Sequence, residues 1–238
     1  MKLLNFLKVN RATPHDYAFS ATKEERDELC QTIITTSSPQ PGFYFLLAIS
    51  TIIVAVGLIK SNLILLIGGM LVAPLLSPIL SLSLAILILD FKVFWRSITV
   101  FVLSALASLF VAVIIGLVSD FNLTELNYLI LMEDVGLVTM LIPMAAGAAA
   151  SFTWAKKNLS GALAGVAVTV TLLPPLAVMG LAIAVKDYEI FMTALGVYGL
   201  NVSGIIVGSL FIFLVMGFYR AEKIIVKQIE IENRENNK

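Results

Sequence analysis

The chain has 238 residues, 59% of them hydrophobic and only 13% charged, with a mean hydropathy of +0.96 and a formal net charge of zero. A soluble domain carries about twice that share of charge, so this composition excludes an ordinary soluble protein. The absence of a basic excess speaks against a nucleic-acid partner, and the single cysteine, Cys30, excludes an internal disulfide framework.

In chain order, residues 1–42 form a polar cytoplasmic lead-in segment. The apolar run before Lys8 is too short for the h-region of a signal peptide, so the N-terminus is expected to stay on the side where it is made. Thr22-Lys23-Glu24-Glu25 is a capping-box pattern, and Leu29 and Ile33 fall on one helical face. A short amphipathic helix is therefore expected over 22–36, ended by Ser38-Pro39-Gln40-Pro41-Gly42.

Six uncharged windows follow: Phe43–Ile59, Ser61–Leu89, Ser97–Ser119, Val135–Ala155, Asn158–Val185 and Ile190–Tyr219. Each is long enough for a transmembrane helix of roughly 17–25 residues. The second and fifth hold 29 and 28 residues and contain prolines. Residues 43–119 and 135–219 thus make two membrane units of three spans each. They flank an acidic loop at 120–134, and a charged cytoplasmic tail closes the chain at 220–238. With the N-terminus inside, fourteen of the sixteen Lys and Arg residues fall on the cytoplasmic side and only Lys60 and Lys186 outside. The expected location is the cell (inner) membrane, multi-pass, with both termini cytoplasmic and the acidic loop external.

Sliding the sequence by 97 residues superimposes the two long windows. Lys60 meets Lys157, Gly68 meets Gly165, Leu75-Leu76 meets Leu172-Leu173, Pro78 meets Pro175 and Asp90 meets Asp187, among 11 identities over 35 positions. Each unit has an odd number of spans, so the second enters from the opposite side. The expected fold class is all-α integral membrane, with six transmembrane helices arranged as two inverted three-helix repeats and spans two and five broken at their prolines.

Proline removes an N–H and clashes with the carbonyl four residues earlier. Pro74 and Pro78 free the carbonyls of Met70 and Pro74, and Pro174 and Pro175 free those of Val170 and Thr171. Irregular backbone survives in hydrocarbon only when it is buried in protein or lines a wet cavity. The candidate pathway for a substrate or ion therefore comprises Met70, Pro74, Ser77, Pro78, Ser81, Thr169, Val170, Thr171, Pro174, Pro175, Asn201 and Ser203, with Asp90, Asp134 and Asp187 at its mouths. Each hydroxyl has a plainer alternative, a bond to its own helix. Asn201 has one too, an interhelical bond, and the proline kinks can be packing features.

No Asp, Glu, Lys, Arg or His lies in the six windows, and His15 is the only histidine. This weighs against a proton relay or voltage sensor. No GxSxG, HExxH or P-loop pattern occurs either, so neither an enzyme nor a cofactor is expected. The expected partners are the lipid bilayer and a small solute or ion, and the small-residue runs Gly147–Ser151, Gly161–Gly165 and Gly204–Gly208 offer faces for a homo-oligomer or for internal packing. The leading functional expectation is a membrane transporter or channel-like protein. The alternative is a non-transporting scaffold or signalling protein acting through residues 1–42.

Residues 61–87, SNLILLIGGMLVAPLLSPILSLSLAIL, resemble the hallmark segment of domain-of-unknown-function family 389. Residues 159–184, LSGALAGVAVTVTLLPPLAVMGLAIA, resemble its second signature, and Asn201 matches an Asn in the last span. Gly69 and Ser77 depart mildly from the family pattern and leave its prolines intact. The resemblance covers about residues 40–220. It implies a prokaryotic integral membrane protein and supplies no substrate.

Overall fold

The computed structural model describes residues 41–121, 137–156 and 161–218. The regular elements among them are seven helices: α1 Pro41–Ile59, α2 Leu63–Val72, α3 Leu76–Ile88, α4 Phe91–Val118, α5 Leu137–Ala155, α6 Gly161–Val185 and α7 Tyr188–Val215. The amphipathic helix expected over 22–36, the acidic loop from residue 122 onward with Asp134, and the tail at 220–238 lie outside the described residues.

By length and composition α1, α4, the 167–185 part of α6 and α7 can each cross a membrane, and α2 with α3 makes an apolar pair bent by 55°, the geometry of a broken span or of a re-entrant loop. Two helices start earlier than their uncharged windows and take in charged residues. α4 begins at Phe91 and carries Lys92 and Arg96 within its first two turns, and α7 begins at Tyr188 and carries Glu189. A charge at the membrane edge marks where hydrocarbon stops, not where backbone hydrogen bonding stops. At the other end α7 stops at Val215, four residues before its window does, and Gly217 follows with φ 79°.

The turns explain where the helices end. At the close of α1 the N–H of Ser61 donates to Leu58 O and that of Asn62 to Gly57 O. At the close of α6 the N–H of Lys186 donates to Ile183 O and that of Asp187 to Ala182 O. Both are Schellman closures, which need a left-handed residue. Ser61 (φ 47°) and Lys186 (φ 62°) supply it, and Leu89 (φ 55°) does so after α3. In each case the next residue caps the following helix: Asn62 Oδ1 accepts from the N–H groups of Ile64 and Leu65, Asp90 Oδ1 from Lys92 and Val93, and Asp187 Oδ1 from Ile190.

α6 is the central helix, packed against α1, α2, α4, α5 and α7. Val168, Leu172, Leu173, Ala177 and Leu181 on it are fully buried. Outer faces of α4 and α7 remain apolar and exposed, with Phe110, Leu117 and Phe211 among them, as expected where lipid replaces water. α5 and α7 approach closely through small residues. A Cβ at Gly208 would run into the carbonyl oxygen of Met144, and one at Gly147 into that of Ile205. Two of the small-residue runs are therefore consumed within the chain.

Candidate functional site

Span two breaks at its first proline. Pro74 disfavours helical dihedrals at the preceding residue, and Ala73 is extended at φ −71°, ψ 127°. The helix resumes at Leu76, after Leu75 at φ −74°, ψ −12°. Pro78 is then the third residue of α3, in the first turn, where its missing N–H costs no intrahelical bond. The two prolines thus make one break, with Pro78 compatible with the restart.

The expected break in span five does not occur. α6 runs as one helix from Gly161 to Val185 with Pro174 and Pro175 inside it, and both prolines are buried. The reason is local. Pro175 takes away the donor that Thr171 O would use, and the Asn201 side-chain amide on α7 replaces it, with Nδ2 donating to Thr171 O at 2.6 Å. A carbonyl that would cost several kcal/mol if left unmet in hydrocarbon is satisfied from the neighbouring helix. Asn201 thereby does what its interhelical alternative described.

The break and α6 touch. Thr169 Oγ1 donates to Gly165 O on its own helix at 2.9 Å and reaches Ala73 O, the carbonyl at the break, at 3.4 Å. Thr169 is buried, and so are Met70, Leu75 and Leu76 around the break. Thr171 Oγ1 donates to Val168 O at 2.8 Å. The Val170 side chain faces outward, 40% exposed. Polar contacts thus lie on different sides of α6, a patch of Thr169 and Ala73 where it meets span two and the Thr171–Asn201 bond where it meets α7.

Other expected site residues stand apart from that patch in their bonding. Ser81 pairs its hydroxyl with that of Ser97 on α4 at 2.6 Å, both fully buried. Ser203 donates to Leu200 O at 2.9 Å. Ser77, half-buried in the first turn of α3, makes no side-chain hydrogen bond to the described residues. Asp90 and Asp187 are occupied as helix caps.

Several polar groups were not anticipated. Ser50 Oγ on α1 donates to Gly69 O at 2.6 Å, just before the break. The contact is close because a Cβ on Gly69 would sit 2.7 Å from Val54 Cγ2 and 3.0 Å from Ser50 O. Ser108 on α4 is fully buried, and its Oγ has no hydrogen-bond partner among the described residues. Pro143 lies inside α5. The available signal was weak in each case: one hydroxyl among others in an apolar window, or the single proline of the fourth window. An open pocket of about 250 Å³ also lies at the α6–α7 turn, lined by Ala182, Ile183, Lys186, Asp187, Tyr188 and Phe191.

The family model described as "Domain of unknown function (DUF389)" matches residues 70–207. The match begins at Met70, just before the break, and runs past Asn201. The chain is also 31% identical over 194 residues to the uncharacterized protein MJ0678 of Methanocaldococcus jannaschii. That alignment takes in 81% of this chain and 59% of the relative, so the chain spans under two thirds of the relative's length. No solved structure matches the chain.

Proposed function

The chain belongs to the DUF389 family, and from that premise we propose that it is a transporter or channel-like protein that moves a small solute or ion through the patch where broken span two meets α6. The observation that carries this reading is the split at 73–75. A helix interrupted within an apolar span exposes backbone polar groups, and here one of them, Ala73 O, lies 3.4 Å from a hydroxyl of the other half of the chain. Thr169, Thr171 and Asn201 add uncharged donors and acceptors suited to a partly dehydrated ion or a neutral solute. The reading contains no enzymatic step.

The proposal includes six spans, counting bent α2–α3 as one and α5 as another, in two inverted repeats. Element bounds support it. α4 and α7 both have 28 residues and start and end 97 apart, α3 and α6 end 97 apart, and α1 and α5 both have 19 residues. The left-handed residues Leu89 and Lys186 and the capping Asp90 and Asp187 keep the same spacing. In this reading the Lys and Arg distribution orients both termini toward the cytoplasm across the inner membrane.

The test is flux into proteoliposomes across a panel of monovalent and divalent ions and small neutral solutes. Flux above empty vesicles that falls in Asn201→Leu and Thr169→Val supports the reading. Flux no greater than in empty vesicles across the panel overturns it.

A further inference from the structure

A two-fold axis relating two repeats exchanges residue i with residue i + 97. A contact between such partners maps onto itself and must lie on the axis. Phe101 and Tyr198 are 97 apart, each the eleventh residue of its helix. Their rings are stacked, with centroids 6.3 Å apart and planes 10° from parallel. The contact of Thr169 with Ala73 joins residues 96 apart, and its image joins their immediate neighbours, 72 and 170. Two independent contacts therefore mark one axis, running through the aromatic stack and through the crossing of span two with α6.

Away from the axis the halves differ. Span two is split at 73–75, whereas its image in α6, at 170–172, is helical. Asn201 donates to Thr171 O. The image of that bond would run from Ser104 to Pro74 O, but the Ser104 hydroxyl donates to Val100 O instead. Applying the two-fold operation to this structure yields a different one, with the split in α6 and span two straight. Each arrangement suits the sequence, because each span has the prolines for a break and α6 demonstrates that a helix can run through two of them.

Building on the reading of inverted repeats around a pathway, we infer that the chain has a second conformation, reached by pivoting on the Phe101–Tyr198 stack, in which span two straightens and α6 opens near 170–173. On-axis contacts persist in both conformations and off-axis contacts are exchanged. The stack is thus a pivot, not a gate. Asn201 is a latch that holds α6 closed in the conformation described here.

Spin-label distances in nanodiscs test this, in a Cys30→Ser background. One label pair replaces Lys60 and Lys186 at the ends of α1 and α6, and the other replaces Leu89 and Lys156 at the ends of α3 and α5. The expected result is two distance populations for each pair, in the same proportion. Asn201→Leu removes a bond made in one conformation only and should shift that proportion roughly fivefold toward the second. Tyr198→Leu removes a contact made in both, so it should lower the melting temperature yet leave the proportion within about twofold. Bridging Phe101→Cys with Tyr198→Cys should leave both populations in place.

A single narrow distance for both pairs, unchanged by Asn201→Leu, overturns the inference, as does a stack whose cross-link eliminates one population. The flux assay on the same preparation separates the two claims. Two populations without flux retain the pivot and remove transport. Flux with one population retains transport and removes the pivot.

Discussion

Span two and α6 each carry two prolines, with Pro78 and Pro175 97 residues apart, yet span two is bent by 55° and α6 is continuous. Spacing accounts for part of the difference. Pro74 and Pro78 are four apart, so one ends a helix and the other falls in the first turn of the next, where no N–H is needed. Pro174 and Pro175 are adjacent, and the helix can run past both at the loss of two successive bonds. Surroundings account for the rest. α6 is enclosed by other helices, and Asn201 replaces one of the lost donors. A proline's effect in a membrane helix is therefore settled by who can reach the carbonyl it strands.

The largest test of the comparison is at the packing that encloses α6. A Cβ at Gly180 would meet Ala112 Cβ and approach Leu109 O at 2.8 Å, whereas nothing lies within 4 Å of one at Gly68 in span two. Gly180→Val should cost about 3 kcal/mol by overpacking, read as a large drop in melting temperature in detergent. Gly68→Ala should be neutral or raise it slightly, since alanine favours helix. Equal responses would show that α6 is not the better-packed of the two spans.

Next in size is the bond that keeps α6 whole. Asn201→Leu leaves Thr171 O unmet and should cost about 1–2 kcal/mol. Pro175→Ala returns a backbone donor to the same carbonyl, so the cost of Asn201→Leu should fall by about 1 kcal/mol in that background, a coupling that a double-mutant cycle of melting temperatures reads directly. Independent, additive effects would mean that Asn201 is not compensating for the proline.

On the side of span two, Ser50→Ala removes the hydroxyl that meets Gly69 O one turn before the break. A loss of about 1 kcal/mol is expected. No change in melting temperature would show that the approach of α1 to α2 is held by the apolar contacts around Gly69 alone.

Much of this was readable from residues because hydrocarbon imposes simple accounting. Charges lie near the ends of the apolar helices, Pro74 favours an extended Ala73, and an amide such as Asn201 within an apolar helix demands a partner. The partner's identity was not readable, since Thr171 is 30 residues away and nothing local connects the two. For the same reason the continuity of α6 escaped notice: the sequence of span five shows the stranded carbonyl but not the donor that comes from another helix. Ser81 illustrates the converse. As a mid-span hydroxyl it suggested a ligand, and its bond to Ser97 on α4 depends on a fold that brings residues 16 apart together.

The smallest predicted effect bears on where the two spans meet. Thr169 Oγ1 is 2.9 Å from Gly165 O and 3.4 Å from Ala73 O, so its one proton serves mainly its own helix. Thr169→Val keeps the shape and deletes the hydroxyl. If the hydroxyl only decorates α6, the melting temperature should barely move, because back-bonding contributes little to a helix that already has its backbone bonds. If it also shields the carbonyl at the break, the loss should be about 0.6 kcal/mol, the usual size of an interhelical hydrogen bond in a membrane protein. That loss should vanish in a Pro74→Ala background, where Ala73 no longer needs to be extended and its carbonyl can be bonded within a helix. A loss that survives Pro74→Ala would place the role of Thr169 within α6 and leave the two spans joined by apolar packing alone.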